Sequence, residues 1–264
     1  MPKPRILIGT PTYDGKEYCF DYWAQNLKKI VKNARKKFHV DVLIVDNSQG
    51  MRYKKLIQKK GFNVIKIRRV KDPLESLANA RKKIFNACVN GKYDYLFSLE
   101  QDIVPPPTIL RQLYALRQKI KKEKAIIGAP YILHDAVEIR SHSPIRKDYV
   151  TSISSHRFWR KEFKYYVQSL VFASKLPKKR SMKCFSVCLG CTLIDSKIIE
   201  SIKVKFVPGI RKPDDSYFFI ECQNKKIPVY SANLLLPFIR HYKGSTYHQE
   251  SWLKHLYNGQ QEAR

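Results

Sequence analysis

The chain has 264 residues, 44% of them hydrophobic and 28% charged. That is enough apolar material for the core of one large domain or two small ones, and it excludes a disordered chain. Fifty-one Lys and Arg against 22 Asp and Glu leave a net charge of +29, an excess no fold requires; it points to nucleic acid or an anionic membrane surface, or else to basic solvated faces.

No uncharged apolar run approaches the roughly 20 residues of a membrane-spanning helix. The N-terminal residues run straight into a short apolar strand with no signal-peptide core, so the expected home is the cytoplasm. The six cysteines, Cys19, Cys88, Cys184, Cys188, Cys191 and Cys222, are expected as free thiols.

The first half alternates strand and helix. Residues 5–8 form an apolar run ending at Gly9-Thr10-Pro11-Thr12, which reads as a buried strand and then a loop. Trp23, Leu27, Ile30, Val31 and Ala34 make one apolar helical stripe. Residues 40–45 are the next strand, stopped by the turn-forming Asp46-Asn47-Ser48, and 62–67 a third. Leu77, Ala80, Ile84, Ala87 and Cys88 give a second helix. Residues 94–99 are a fourth strand, cut off at Glu100-Gln101-Asp102 and three prolines; a helix through Ile109, Leu113, Leu116 and Ile120 and a strand over 125–129 follow. This alternation predicts an α/β fold, a mostly parallel central sheet flanked by helices.

The second half is less regular. Residues 135–160 read as loop, 187–194 as a strand, 196–202 and 216–224 as helices, and 228–230 as a strand. No repeat or low-complexity linker interrupts the chain. The simplest organisation is one domain over 1–264, with a ligand-binding half (1–130) and a variable half (131–264) that carries a basic, aromatic insertion near 156–184.

In an open parallel sheet, ligands bind beyond the carboxyl ends of the strands. The 10–12 loop, Asp46-Asn47 and Glu100-Gln101-Asp102 all fall there. Acidic side chains spaced by one can address a hard cation such as Mg²⁺ or Mn²⁺, which bridges well to a diphosphate; an acidic turn before prolines is the plainer reading. Asp214-Asp215, just before a helix, reads as a cap or as a general base for an acceptor hydroxyl. His241 reads as a surface histidine or a late metal ligand.

Taken in order, these segments resemble the family 2 type of inverting glycosyltransferases, which have the GT-A fold of nucleotide-diphospho-sugar transferases. The segments are 6–13 (ILIGTPTY), 42–48 (VLIVDNS), 77–81 (LANAR), 93–102 (YDYLFSLEQD), 187–194 (VCLGCTLI) with 195–199 (DSKII), and 214–219 (DDSYFF) with 226–230 (KIPVY). The resemblance implies that Thr10, Pro11, Thr12 and Tyr13 wrap the nucleotide, that Asp46 and Asn47 contact its base, and that Arg81 faces the donor diphosphate. Glu100, Gln101 and Asp102 stand where the family has its DxD motif, so Asp102, with His241 and Glu100, would hold the divalent cation. Asp215 would be the catalytic base and Asp214 its helper, in a metal-dependent, inverting transfer of a sugar to a glycan, lipid-linked or protein acceptor.

Three other readings compete; one, a nucleotidyltransferase on a related fold, would share the metal site but usually begins with a Gly-rich phosphate loop, which Gly9-Thr10-Pro11-Thr12 lacks. Cys184, Cys188 and Cys191 have the C-x3-C-x2-C spacing of an iron–sulfur or zinc site, although free cysteines also suit a buried strand. A nucleic-acid-binding α/β protein would explain the charge but leaves Glu100, Asp102, Asp214 and Asp215 unused. Residues 157–183 carry nine Lys and Arg, one Glu and six aromatics (Phe158, Trp159, Phe163, Tyr165, Tyr166, Phe172). That mixture suits an anionic bilayer, single-stranded nucleic acid or a basic face over a satellite apolar cluster, and the expectation drawn from it is peripheral docking on an anionic inner membrane face.

Overall fold

The computed structural model describes residues 2–129, 132–133, 149–150, 171–172, 181–184, 186–202, 214–232 and 240–241. Its centre is an eight-stranded sheet. β1 (Arg5–Thr12), β2 (His39–Asp46), β3 (Val64–Lys66) and β4 (Tyr95–Leu99) run parallel in the order β4-β1-β2-β3. β5 (Ile103–Val104) leaves the sheet at the end of β4. β6 (Ile126–Gly128), β10 (Met182–Cys184), β11 (Cys191–Asp195) and β12 (Val229–Ser231) extend the other edge in the order β10-β12-β6-β11. β11 runs antiparallel to β4 and β6, and β10 antiparallel to β12, while the other six strands share one direction. β7 (Ile132–Leu133), β8 (Tyr149–Val150) and β9 (Val171–Phe172) form a separate small sheet, and β13 (Arg240–His241) pairs with β5.

The alternation of side chains along the strands explains why both faces are covered. Ile6 and Ile8 of β1 and Phe97 and Leu99 of β4 enter one core, with α1 (Phe20–Ala34), α2 (Arg52–Lys59) and α4 (Ile109–Lys119) over it. Leu7 and Leu96 point the other way, into a core roofed by α3 (Pro73–Asn90), α5 (Ser196–Ser201) and α6 (Asp214–Asn224). α3 starts where it does because the Asp72 carboxylate accepts from the N–H groups of Leu74 (2.7 Å) and Glu75 (3.4 Å), with Pro73 opening the first turn. It then lies directly on β1: a Cβ at Gly9 would meet Ile84 Cγ2 at 2.2 Å.

Three local differences from the sequence reading have physical causes. Residues 9–12 continue β1 rather than looping, pairing with β2 as far as Thr12 opposite Asp46. Pro11 is tolerated in a central strand because the β4 pairing has already ended at Gly9 opposite Ser98. The strand expected over 187–194 begins only at Cys191. Ahead of it, Leu189 O and Gly190 O accept from Ser98 Oγ (2.6 Å) and Glu100 N (2.9 Å), so those residues turn over the end of β4. α2, which sequence reading missed, is short and highly polar yet buries Tyr53 and Ile57. The loop expected over 135–160 lies outside the described residues apart from β8.

Candidate active site

Because β1, β2 and β4 are parallel and in register, Thr12, Asp46 and Glu100 emerge at the same edge of the sheet. A 3-10 helix, Asp14–Cys19, follows β1 there and folds back across the end of β4.

Gln101 ties these pieces together. It is fully buried, and its Oε1 accepts from the Thr12 and Tyr53 hydroxyls, the latter at 2.8 Å. Its Nε2 donates to Lys16 O at 2.5 Å, and its own carbonyl faces the Cys19 thiol at 3.5 Å. Burial pushes the Tyr53 phenol well above its usual range, so it remains a donor. The amide of Gln101 therefore points into the protein, joining α2, β1 and the 3-10 helix.

Its two acidic neighbours form a charged cluster. Glu100 accepts from the Arg81 guanidinium, which is almost wholly buried, and lies 3.7 Å from the Lys16 ammonium. The same ammonium is 3.0 Å from Asp102 Oδ1. Burial lowers the proton affinity of Lys16, but Glu100 and Asp102 more than offset this and hold its pKa above the ordinary lysine value. Burial first, then the Asp102 carboxylate, pushes the Cys19 thiol up to about 12, so it stays protonated.

A second polar group lies at the end of β2. Asp46 is fully buried; its Oδ1 accepts from Ser48 N (2.8 Å) and Ser48 Oγ (2.5 Å), and Lys66 Nζ is 3.7 Å from Oδ2. Ser48 Oγ accepts from Asp14 N (2.8 Å), and Asn47 N donates to Thr12 O (2.9 Å), which locks the β1 and β2 ends together. The Arg69 guanidinium lies 5.3 Å from the centre of the Tyr13 ring and 3.5 Å from Asp14. Thr10 and Pro11 are buried deeper in β1.

The remaining expected residues come from later in the chain. His241 lies opposite Ile103 in the β13–β5 pair, so its backbone runs beside the turn that carries Asp102. Asp214 and Asp215 open α6, and Asp215 is half-buried. α6 packs on α3 through Phe218 against Phe85, with ring centres 5.6 Å apart.

Sequence reading missed Lys16, Tyr53, Ser48, Lys66 and Arg69 as site residues. Nothing in their spacing marks them; only the fold-back of the 3-10 helix and the placement of α2 bring the first two to Gln101.

Among the described residues, no group of three or more His, Cys, Asp or Glu side chains is placed to hold a metal ion. Cys184, Cys191 and Cys222 are buried, Cys184 and Cys222 in one core and Cys191 in the other. Burial raises the Cys184 thiol to about 12. Two of the three cysteines in the C-x3-C-x2-C spacing, Cys184 and Cys191, thus lie packed in different cores, their thiols pushed up by burial, while Cys188 is half-buried. Glu100 and Asp102 do share a cation position, and the Lys16 ammonium stands in it. As arranged, these carboxylates suit one positive charge already supplied and do not fit an added dication.

No described helix is long and apolar enough to cross a membrane. The aromatic and basic stretch over 157–183 lies outside the described residues apart from β9 and the first strand residues of β10.

No protein-family model and no curated protein matches the sequence. Solved structures do match its fold. The chain is similar to S. aureus TarS 1–349 in complex with UDP-GlcNAc, with a TM-score of 0.54 at 9% identity over 91% of this chain. It spans 60% of the length of that TarS chain. A mycobacterial protein gives a TM-score of 0.50 at 10% identity, over 93% of this chain and 69% of that one. A197 from STIV gives a TM-score of 0.45 at 16% identity, over 91% of this chain and 86% of that one. With the strand order and the site edge already described, the similarity to TarS shows that this chain has the GT-A fold.

Proposed function

We propose that the chain is a glycosyltransferase that takes its sugar from a nucleotide-sugar donor. The observation that carries this reading is the meeting of three polar groups at one sheet edge: Thr12 and Tyr13 at the end of β1, Asp46 to Ser48 at the end of β2, and Glu100 and Asp102 after β4, with Lys16 of the 3-10 helix and Arg81 of α3 against them. In a GT-A fold that edge is where a donor is expected.

Tyr13, backed by Arg69, and the Asp46–Asn47 end of β2 take the base and ribose. Arg81 and Lys16 take the diphosphate. As the bond from the anomeric carbon to the phosphate oxygen breaks, negative charge grows on the departing nucleoside diphosphate, and these two cations are placed to meet it. The acceptor hydroxyl attacks the anomeric carbon from the opposite face, giving inversion, and its proton passes to Asp215, with Asp214 as helper. The metal implied by the resemblance, at Asp102, Glu100 and His241, does not fit the two described carboxylates as they stand, so the phosphate chemistry is assigned to Lys16 and Arg81. The acceptor is a glycan, lipid or protein hydroxyl, and the basic, aromatic stretch would bring the chain to an anionic membrane that carries it.

A thermal-shift screen of UDP-, GDP- and dTDP-sugars tests the reading, because a ligand that binds only the folded state raises its melting temperature. The expected result is stabilisation by one base class and, with acceptor, release of nucleoside diphosphate. Release of pyrophosphate from a nucleoside triphosphate and a free sugar phosphate would replace sugar transfer with nucleotidyl transfer. No stabilisation by any of the three would overturn both.

A further inference from the structure

We propose that Lys16 is a built-in counter-ion for the donor diphosphate, so that donor binding at this site needs no divalent metal. This rests on the donor reading above and sharpens it at one atom, Lys16 Nζ.

The first support is convergence. The two acidic residues that flank Gln101 both face this ammonium, Asp102 at 3.0 Å and Glu100 at 3.7 Å. With Arg81 on the other Glu100 oxygen, the cluster holds two cations and two carboxylates. Its charges cancel. Without Lys16, a dianionic diphosphate would meet a net negative site, which is the usual reason such carboxylates need a metal. With Lys16 in place that need is gone, and a dication on the same oxygens would face an ammonium at bonding distance.

The second support is preorganisation. The Lys16 backbone is pinned on both sides: its N–H donates to Tyr13 O at 2.9 Å, and its carbonyl accepts from Gln101 Nε2 at 2.5 Å and from the Cys19 thiol at 3.2 Å. Gln101 is itself fixed by Thr12 and Tyr53. The buried amide thus sets where the ammonium sits, in the same turn whose acidic residues orient it.

The third support is valence. An ammonium has three N–H donors. Asp102 Oδ1, an ion-pair partner at 3.0 Å, engages at most one of them, whereas Glu100 at 3.7 Å is beyond hydrogen-bond range, and the side chain keeps 19% of its exposure. Donors therefore remain for phosphate oxygens at the open edge.

The test is calorimetric titration of UDP, GDP and dTDP into the full chain, in EDTA and in MnCl₂. The account expects one of the three to bind with affinities in the two buffers that agree within about threefold. Lys16→Met should weaken binding in EDTA by about tenfold or more, with Lys16→Arg recovering most of it. In Lys16→Met, Mn²⁺ should restore binding, because the freed carboxylates then accept it, a rescue that a merely unfolded variant could not show. Binding by wild type only with Mn²⁺, or unchanged binding by Lys16→Met in EDTA, overturns the counter-ion proposal and leaves the donor reading standing. Should none of the three bind in either buffer, the donor reading falls, and this proposal with it.

Discussion

Two arginine–carboxylate pairs sit at opposite ends of the same central strand, and they do different things. β11 runs against β4, with Asp195 opposite Tyr95 at the start of β4 and Cys191 opposite Leu99 at its end. At the first end, Arg117 donates to both Asp195 oxygens at 2.6 to 3.0 Å and to the carbonyls of Lys122 (3.2 Å) and Glu123 (2.9 Å). Asp195 also accepts from Ala125 N at 2.8 Å. That pair is matched inside the protein, and it fastens α4 and the approach to β6 onto β11. At the other end, Arg81 and Glu100 share their charge with Lys16 and Asp102, at an edge where Glu100 keeps 18% side-chain exposure. The first pair is matched inside the fold; the second shares its carboxylate with Lys16, whose side chain keeps 19% exposure. Ion pairs of the same chemistry differ in whether a neighbouring charge at the protein surface shares them.

Removing the Asp195 carboxylate should have the largest effect. Asp195→Ala leaves the Arg117 guanidinium buried without its counter-charge, a loss of about 3–5 kcal/mol. Urea unfolding should show it directly, and donor affinity of the protein still folded should be unchanged. A larger effect on binding than on stability would erase the contrast between the two ends.

Gln101→Leu comes next. It removes the amide that accepts from the Thr12 and Tyr53 hydroxyls and donates to the Lys16 carbonyl, costing roughly 2–3 kcal/mol. Unlike Asp195→Ala, it should also weaken nucleotide binding, because Lys16 loses its anchor; both are read by denaturation and titration of one sample. Tyr53→Phe removes a single bond to the same amide and should cost about 1 kcal/mol. The smallest effect concerns Cys19, beside the outward-facing cluster. With its thiol raised to about 12 and buried, it should resist a thiol reagent near neutral pH while the half-buried Cys188 is labelled first. Peptide mass mapping of the modified chain checks the order.

The parallel strands, the stripes of α1 and α3 and the acidic turn after β4 were legible because each is a local pattern of period or punctuation. Gln101 was legible as a position but not as a role. It was grouped with its neighbours as facing a ligand, whereas its amide turns inward to Thr12 and Tyr53. Lys16 was invisible among 51 Lys and Arg, since only the 3-10 helix folding over β4 selects it. Arg117 and Asp195, 78 residues apart, meet through a reversed strand that periodicity cannot orient. Gly9 and Pro11 looked like loop formers, yet one admits α3 against β1 and the other sits where a pairing has ended.

The most direct measurement is a crystal structure of the chain with the nucleoside diphosphate that binds it, grown in EDTA. The account predicts phosphate oxygens within hydrogen-bond distance of Lys16 Nζ and the base between Tyr13 and the end of β2. A nucleotide bound elsewhere, or one whose phosphates avoid Lys16 and Arg81, would contradict it.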